Sequence, residues 1–202
     1  MKYTAKTLSI LFHPILMPLL GVFIIFNSGI YQSNIPVEIK KYTYLLVGLF
    51  SIVLPLALIS ILVYWHVVQN IEMSKHKERF IPMTFSFISI FLLHVLIRRT
   101  IPINILQAFT LSMAVVLILY LLSNIKFKTS LHLLALGGIT GLIAILSKIF
   151  LIDLYFWLMI VIFVTGIVGT SRVYLEEHTL LELAMGYVTG FVGVFFTVYF
   201  FI

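Results

Sequence analysis

Cysteine is absent from the chain. Disulfides, thiolate metal sites and cysteine nucleophiles are therefore excluded. Charge is scarce too. Charged residues make up 10% of the 202 residues, against about a quarter in a soluble domain. So few charges cannot cover a water-facing surface of this length. That excludes an ordinary soluble domain, a disordered chain, a coiled coil and a DNA-binding domain. What remains is apolar: 62% of residues are hydrophobic and the mean hydropathy is +1.18. A spanning helix takes about 20 residues, so the chain holds roughly six or seven spans and no separate soluble domain. The expected fold is all-α, a multi-pass transmembrane helix bundle in one integral membrane domain over residues 1–202. The net charge of +6, from 13 Lys and Arg against 7 Asp and Glu, fits loop cations that meet lipid headgroups, not a nucleic-acid partner.

The apolar runs place the spans. The first runs from Ile10 to Phe26, interrupted by His13, Pro14 and Pro18, and reads as a retained, kinked helix and not as a signal peptide. Later runs cover Tyr44 to Tyr64, Phe80 to Ile97, Pro102 to Leu122, Leu131 to Ile149 and Leu154 to Thr170, and a last one ends at Ile202. Two crossings separate the polar segment ending at Arg79 from Ser130, and two more separate Ser130 from Ser171. Three polar segments far apart in sequence are thereby expected on one side of the membrane. The Lys and Arg of the two sides nearly balance once those facing a bound anion are set aside, so they assign no orientation.

Ionisable residues at a membrane edge are costly and are functional candidates by default. The strongest cluster runs from Ser171 to Glu182. With the last helix expected to begin near Leu175, His178 and Glu182 fall four apart on one face. The carboxylate then holds one ring nitrogen and leaves the other to attack. Arg172 offers a planar fork matched to phosphate oxygens. A second cluster, Lys126 to His132, lies at a helix start, where N–H groups and the dipole favour an anion. There Ser130 can donate to phosphate and His132 can act as general acid. Lys75 and Arg79, with Pro82, form a third cationic cluster. Glu176 and Glu177 read as solvated first-turn residues, and His13 and His94 as hydrogen-bonded packing residues.

The residues from Glu72 to Gly190 resemble the type-2 phosphatidic acid phosphatases, a family sharing its helical core with the vanadium haloperoxidases. The third signature of that family is Ser-Arg, five residues, His, three residues, Asp. It stands here as Ser171-Arg172, His178 and Glu182, and Gly186 and Gly190 resemble the helix that follows. The second, Pro-Ser-Gly-His, survives as Ser130 and His132, with Thr129 and Leu131 in the other places. Of the first, Arg79 survives, Glu72 stands at the lysine position, and Pro82 comes two residues late. Lys75 or Lys128 can replace the missing lysine. The resemblance implies a phosphatase-like core over residues 72–190 after two N-terminal spans (1–66), with an added pair of spans between the first and second clusters. It implies His178 as a nucleophile forming phosphohistidine, Glu182 as its orienting carboxylate, and His132 as acid and then base. Arg172, Arg79, Ser130, Lys75 and Lys128 would hold the phosphate. It implies no metal or other cofactor, a lipid phosphate or diphosphate as substrate, inhibition by vanadate, and a multi-pass protein of a bacterial cytoplasmic membrane.

Other readings weigh less. A zinc protease needs Glu directly after its first His and a second His at the fourth position, and neither is present. A serine protease lacks an Asp to accompany Ser130 and His132. A transporter is disfavoured by the absence of repeat symmetry and of any expected pair of broken helices. A degenerate lipid-phosphate binder and a lipid phosphotransferase use the same residues and remain as rivals.

Overall fold

The computed structural model describes residues 2–30, 35–66, 80–125 and 128–202. They form helices α1 (Lys2–Leu11), α2 (Met17–Asn27), α3 (Val37–Gly48), α4 (Leu54–Tyr64), α5 (Phe80–Thr100), α6 (Asn104–Ser123), α7 (Leu131–Phe150), α8 (Tyr155–Tyr174) and α9 (Leu180–Phe201). Grouped by continuity, they give seven segments long and apolar enough to cross a membrane. The chain is thus an all-α, multi-pass bundle, as its composition requires.

The first two spans are not continuous helices. Pro14 has no N–H and cannot extend α1. The chain makes a 3-10 turn, Pro14–Leu16, before α2 resumes. His13 N–H turns back to Ile10 O at 3.2 Å instead of Ser9 O, which leaves the Ser9 carbonyl for another partner. In the second span a π turn, Leu49–Val53, separates α3 from α4. The π-type donor for Phe50 O would be Pro55, which has none. Ser89 of α5 supplies it, its hydroxyl donating to Phe50 O at 2.6 Å. Neighbouring helices repair broken backbone in this way inside a membrane. The 3-10 and π turns pack against each other. This corrects the sequence expectation, which found only one kinked span and no pair of broken helices.

The two spans between the first and second clusters, α5 and α6, form a hairpin. His94 Nδ1 lies 3.1 Å from both Gln107 O and Thr110 Oγ1, so His94 is the packing residue that the sequence suggested.

The centre of the bundle is α7, packed on α9, α8, α2 and α6. Lipid tails give no hydrophobic force between helices, so close backbone approach must hold them. Two small-residue pairs provide it, Gly137 and Gly141 on α7 and Gly186 and Gly190 on α9. A Cβ on Gly186 would stand 2.6 Å from Ser130 O, and one on Gly141 the same distance from Phe191 O. A Cβ on Gly190 would collide with Leu134 O, and one on Gly137 with Tyr187 O. The register runs Ser130 to Gly186 and Leu134 to Gly190, so α7 and α9 are parallel and their N-termini share one end. At the opposite end Lys148 Nζ lies over the rings of Phe195 and Tyr199, 5.8 and 5.3 Å from their centroids.

Candidate functional site

The α7–α9 contact sets two helix starts side by side, and the candidate residues gather there. The α8–α9 corner carries most of them. Arg172 lies in the last turn of α8 and pairs with the Glu177 carboxylate. After the cap residue Leu175, Glu176 takes the left-handed conformation, φ 56°. Glu176 N–H then reaches Val173 O at 2.9 Å and Glu177 N–H reaches Arg172 O at 3.2 Å. This is a Schellman closure built without glycine.

The last helix therefore starts at Leu180, not near Leu175. That overturns the expectation that His178 and Glu182 share a helical face. His178 precedes Thr179, the N-cap residue. The two still meet, because Glu182 is the third residue of a capping box. Its Oε2 accepts from Thr179 N–H at 3.1 Å, while its own N–H reaches Thr179 Oγ1 at 3.4 Å. The same Oε2 lies 3.1 Å from His178 Nδ1. A box of this kind needs the reach of Glu or Gln, which accounts for Glu where the resembled signature has Asp. With Nδ1–H donated to Glu182, the neutral ring keeps its lone pair on Nε2. The His178 side chain is only 1% exposed.

The α6–α7 connection meets this corner. Lys128 Nζ donates to Glu177 O at 2.9 Å, and Ser130 N–H reaches Glu182 O at 3.4 Å. Two of the three polar segments expected on one side are thus at one end of the bundle. The Ser130 hydroxyl is buried with no hydrogen-bond partner among the described residues. His132 stands one position into α7, buried, with its Nε2 3.0 Å from Ser9 O. As the donor to that carbonyl, Nε2 holds a proton, and Nδ1 is the position where His132 can take up or release another.

His178, Glu182, His132, Ser130, Arg172 and Lys128 are therefore brought together. Lys75 and Arg79, like Lys126, lie outside the described residues. Three contributors were missed. The sequence reads Glu177 as a solvated first-turn residue, yet it sits in the turn before α9 and engages Arg172. Ser9 and His13 come from the first span, and the His13 ring stands edge-on to His132 at 5.6 Å between centroids. A histidine next to a proline inside an apolar run was the available signal. The arrangement offers a carboxylate-oriented imidazole, a second imidazole, and cations in a partly dehydrated corner, a set suited to an anionic, oxygen-rich group. Comparisons with protein families, curated proteins and solved structures return no match to the chain.

Proposed function

We propose that the chain is a metal-independent lipid phosphatase of a bacterial cytoplasmic membrane, acting on a lipid phosphate or diphosphate. The observation that carries this reading is the convergence of Ser130 and His132 at the start of α7 with Arg172, His178 and Glu182 at the α8–α9 corner. The approach of Glu182 Oε2 to His178 Nδ1, at 3.1 Å, sets His178 Nε2 as the nucleophilic nitrogen. The reaction has two in-line steps. Nε2 attacks phosphorus, the bond from phosphorus to the lipid oxygen breaks, and protonated His132 gives its proton to the leaving oxygen. Water then attacks the phosphohistidine, His132 takes a proton from it, and the phosphorus–nitrogen bond breaks to release phosphate. Arg172, Lys128 and the Ser130 hydroxyl hold the phosphate oxygens. Substrate phosphate competes with the Glu177 carboxylate for Arg172.

The test is phosphate release from a panel of phosphatidate, phosphatidylglycerol phosphate and polyprenyl diphosphate, run on wild type and His178→Ala. The expected result is release by the wild type, lowered about a thousandfold or more in the variant, with unchanged thermal stability. Equal release by both proteins refutes the mechanism.

A second reading, a non-catalytic binder of lipid phosphate, is favoured by the ion pair of Arg172 with Glu177 and the bond of Lys128 to the Glu177 carbonyl. Wild type that retains phosphatidate in vesicle pull-down and releases no phosphate from the panel supports that reading instead.

A further inference from the structure

The first span lies outside the stretch that resembles a known family, yet it reaches the centre of the site. Its break is the reason. Where α1 stops, the Ser9 carbonyl has lost its helical donor and accepts from His132, 123 positions away. Four residues on, His13 folds its ring onto His132 at an interplanar angle of 80°. His132 is buried and His13 is exposed, so His13 is the outer member of the pair.

Two features point to a ligand. The first is the state of the His13 ring. Its Nδ1 accepts from Ile15 N–H at 3.3 Å, which places the proton of the neutral ring on Nε2. Capping a turn needs only a small acceptor such as Asn, Asp or Ser. The imidazole therefore carries a second, donating nitrogen that the cap does not use. The second feature is a pair of orphan hydroxyls, on Ser9, whose carbonyl meets His132, and on Ser130, the N-cap of its helix. Ser9 Oγ and Ser130 Oγ are both buried with no hydrogen-bond partner among the described residues, and Ser9 is 6% and Ser130 0% exposed. Buried hydroxyls are ordinarily satisfied, so two of them, one on the residue that bonds His132 and one at the start of its helix, mark a place for a polar group. Among the described residues, the charged and titratable groups acting on this pair are Arg172 from α8 and His178 from the α8–α9 corner. The adjoining π turn brings none.

We propose that the broken first span completes the substrate site, with His13 donating Nε2–H to a phosphate oxygen of the lipid as it enters and Ser9 holding His132 in its tautomer. This rests on the lipid phosphatase reading and extends its phosphate seat to residues of the first span.

The test variant is His13→Asn, which keeps a side-chain acceptor for Ile15 N–H and removes the ring. A hydrogen bond to a charged partner makes the expected rise in KM for phosphatidate roughly ten- to a hundredfold, with kcat altered far less. His13→Gln, which carries its amide donor one methylene further out than Asn, should recover part of that loss. A measurement on wild type covers the case in which His13→Asn fails to fold. Diethylpyrocarbonate should acylate His13, detected by peptide mass, and phosphatidate micelles should protect it. His13→Asn with wild-type KM, or His13 labelling unaffected by phosphatidate, overturns the role of His13. If His178→Ala is inactive in the same assay, the phosphatase reading stands without it. If His178→Ala keeps wild-type release, the phosphatase reading falls, and this inference with it.

Discussion

The two corners that flank α8 turn the chain in similar ways but are held differently. Each puts a bulky residue in the left-handed region, Leu151 at φ 53° and Glu176 at φ 56°. The Leu151 corner is closed by its own neighbours. Ser147 Oγ donates to Ile152 O at 2.7 Å, and Asp153 Oδ1 accepts from Tyr155 N–H at 3.0 Å. The Glu176 corner has local bonds of the same kind and also receives Lys128 from 49 positions away. Ser130 N–H ties to Glu182 O just beyond it. A turn needs only local bonds. The extra ties fasten this corner to the start of α7, and that is where the candidate side chains meet. One corner reverses the chain; the other also gathers the candidate side chains.

That contrast can be broken at several levels. The largest effect is expected at the glycine contact that seats the Glu176 corner. Gly190→Ala would drive a methyl into the Leu134 carbonyl, which is backbone and cannot swing aside. A loss of about 3 kcal/mol is expected, read as a lower melting temperature in detergent. Gly166→Ala, which faces open space on α8, should melt like wild type. Equal melting of the two variants would show that the corner is seated by something else.

Next comes the shared carboxylate. Glu182→Ala removes a cap acceptor and the partner of His178, so about 1 kcal/mol of stability and about a hundredfold in phosphate release should go together. Glu182→Gln keeps an acceptor for Thr179 N–H and should hold stability while release still falls. If the Gln variant releases phosphate at the wild-type rate, Glu182 serves only as a cap.

At the other corner, Asp153→Ala should cost about 1 kcal/mol through its lost bond to Tyr155 N–H and leave phosphate release unchanged. A loss of release would link the far corner to the site and remove the difference between the two corners. The smallest effects are expected from relieving backbone strain. Leu151→Gly and Glu176→Gly should each raise stability by up to about 1 kcal/mol in chemical denaturation, with release unchanged. A drop in release for Glu176→Gly alone would show that the strain itself positions His178.

Much of the site was legible because its parts are local. His178 with Glu182, Ser130 with His132, and Arg172 near a helix end are short spacings of chemically distinct residues. The start of α9 is hidden in the sequence although Thr179 and Glu182 spell a capping box, because no glycine at position 176 announces the left-handed turn. Glu177 was misread for the same reason. A helix drawn from Leu175 points it at solvent, whereas the actual turn points it at Arg172. Ser9 and His13 had no local signature for their partner, which lies on another span.

The sequence by itself determined the all-α class, a count of six or seven spans, the break at Pro14 and the chemical types available at each helix end. All follow from apolar length and from missing N–H groups, which are properties of neighbouring residues. Tertiary structure decided which ends meet, that α7 and α9 lie backbone to backbone, that Arg172 finds Glu177, and that the first span folds onto His132. In lipid no hydrophobic force distinguishes one apolar face from another, so these choices rest on close packing at glycine and on carbonyls left without donors, and each needs a partner from elsewhere in the chain.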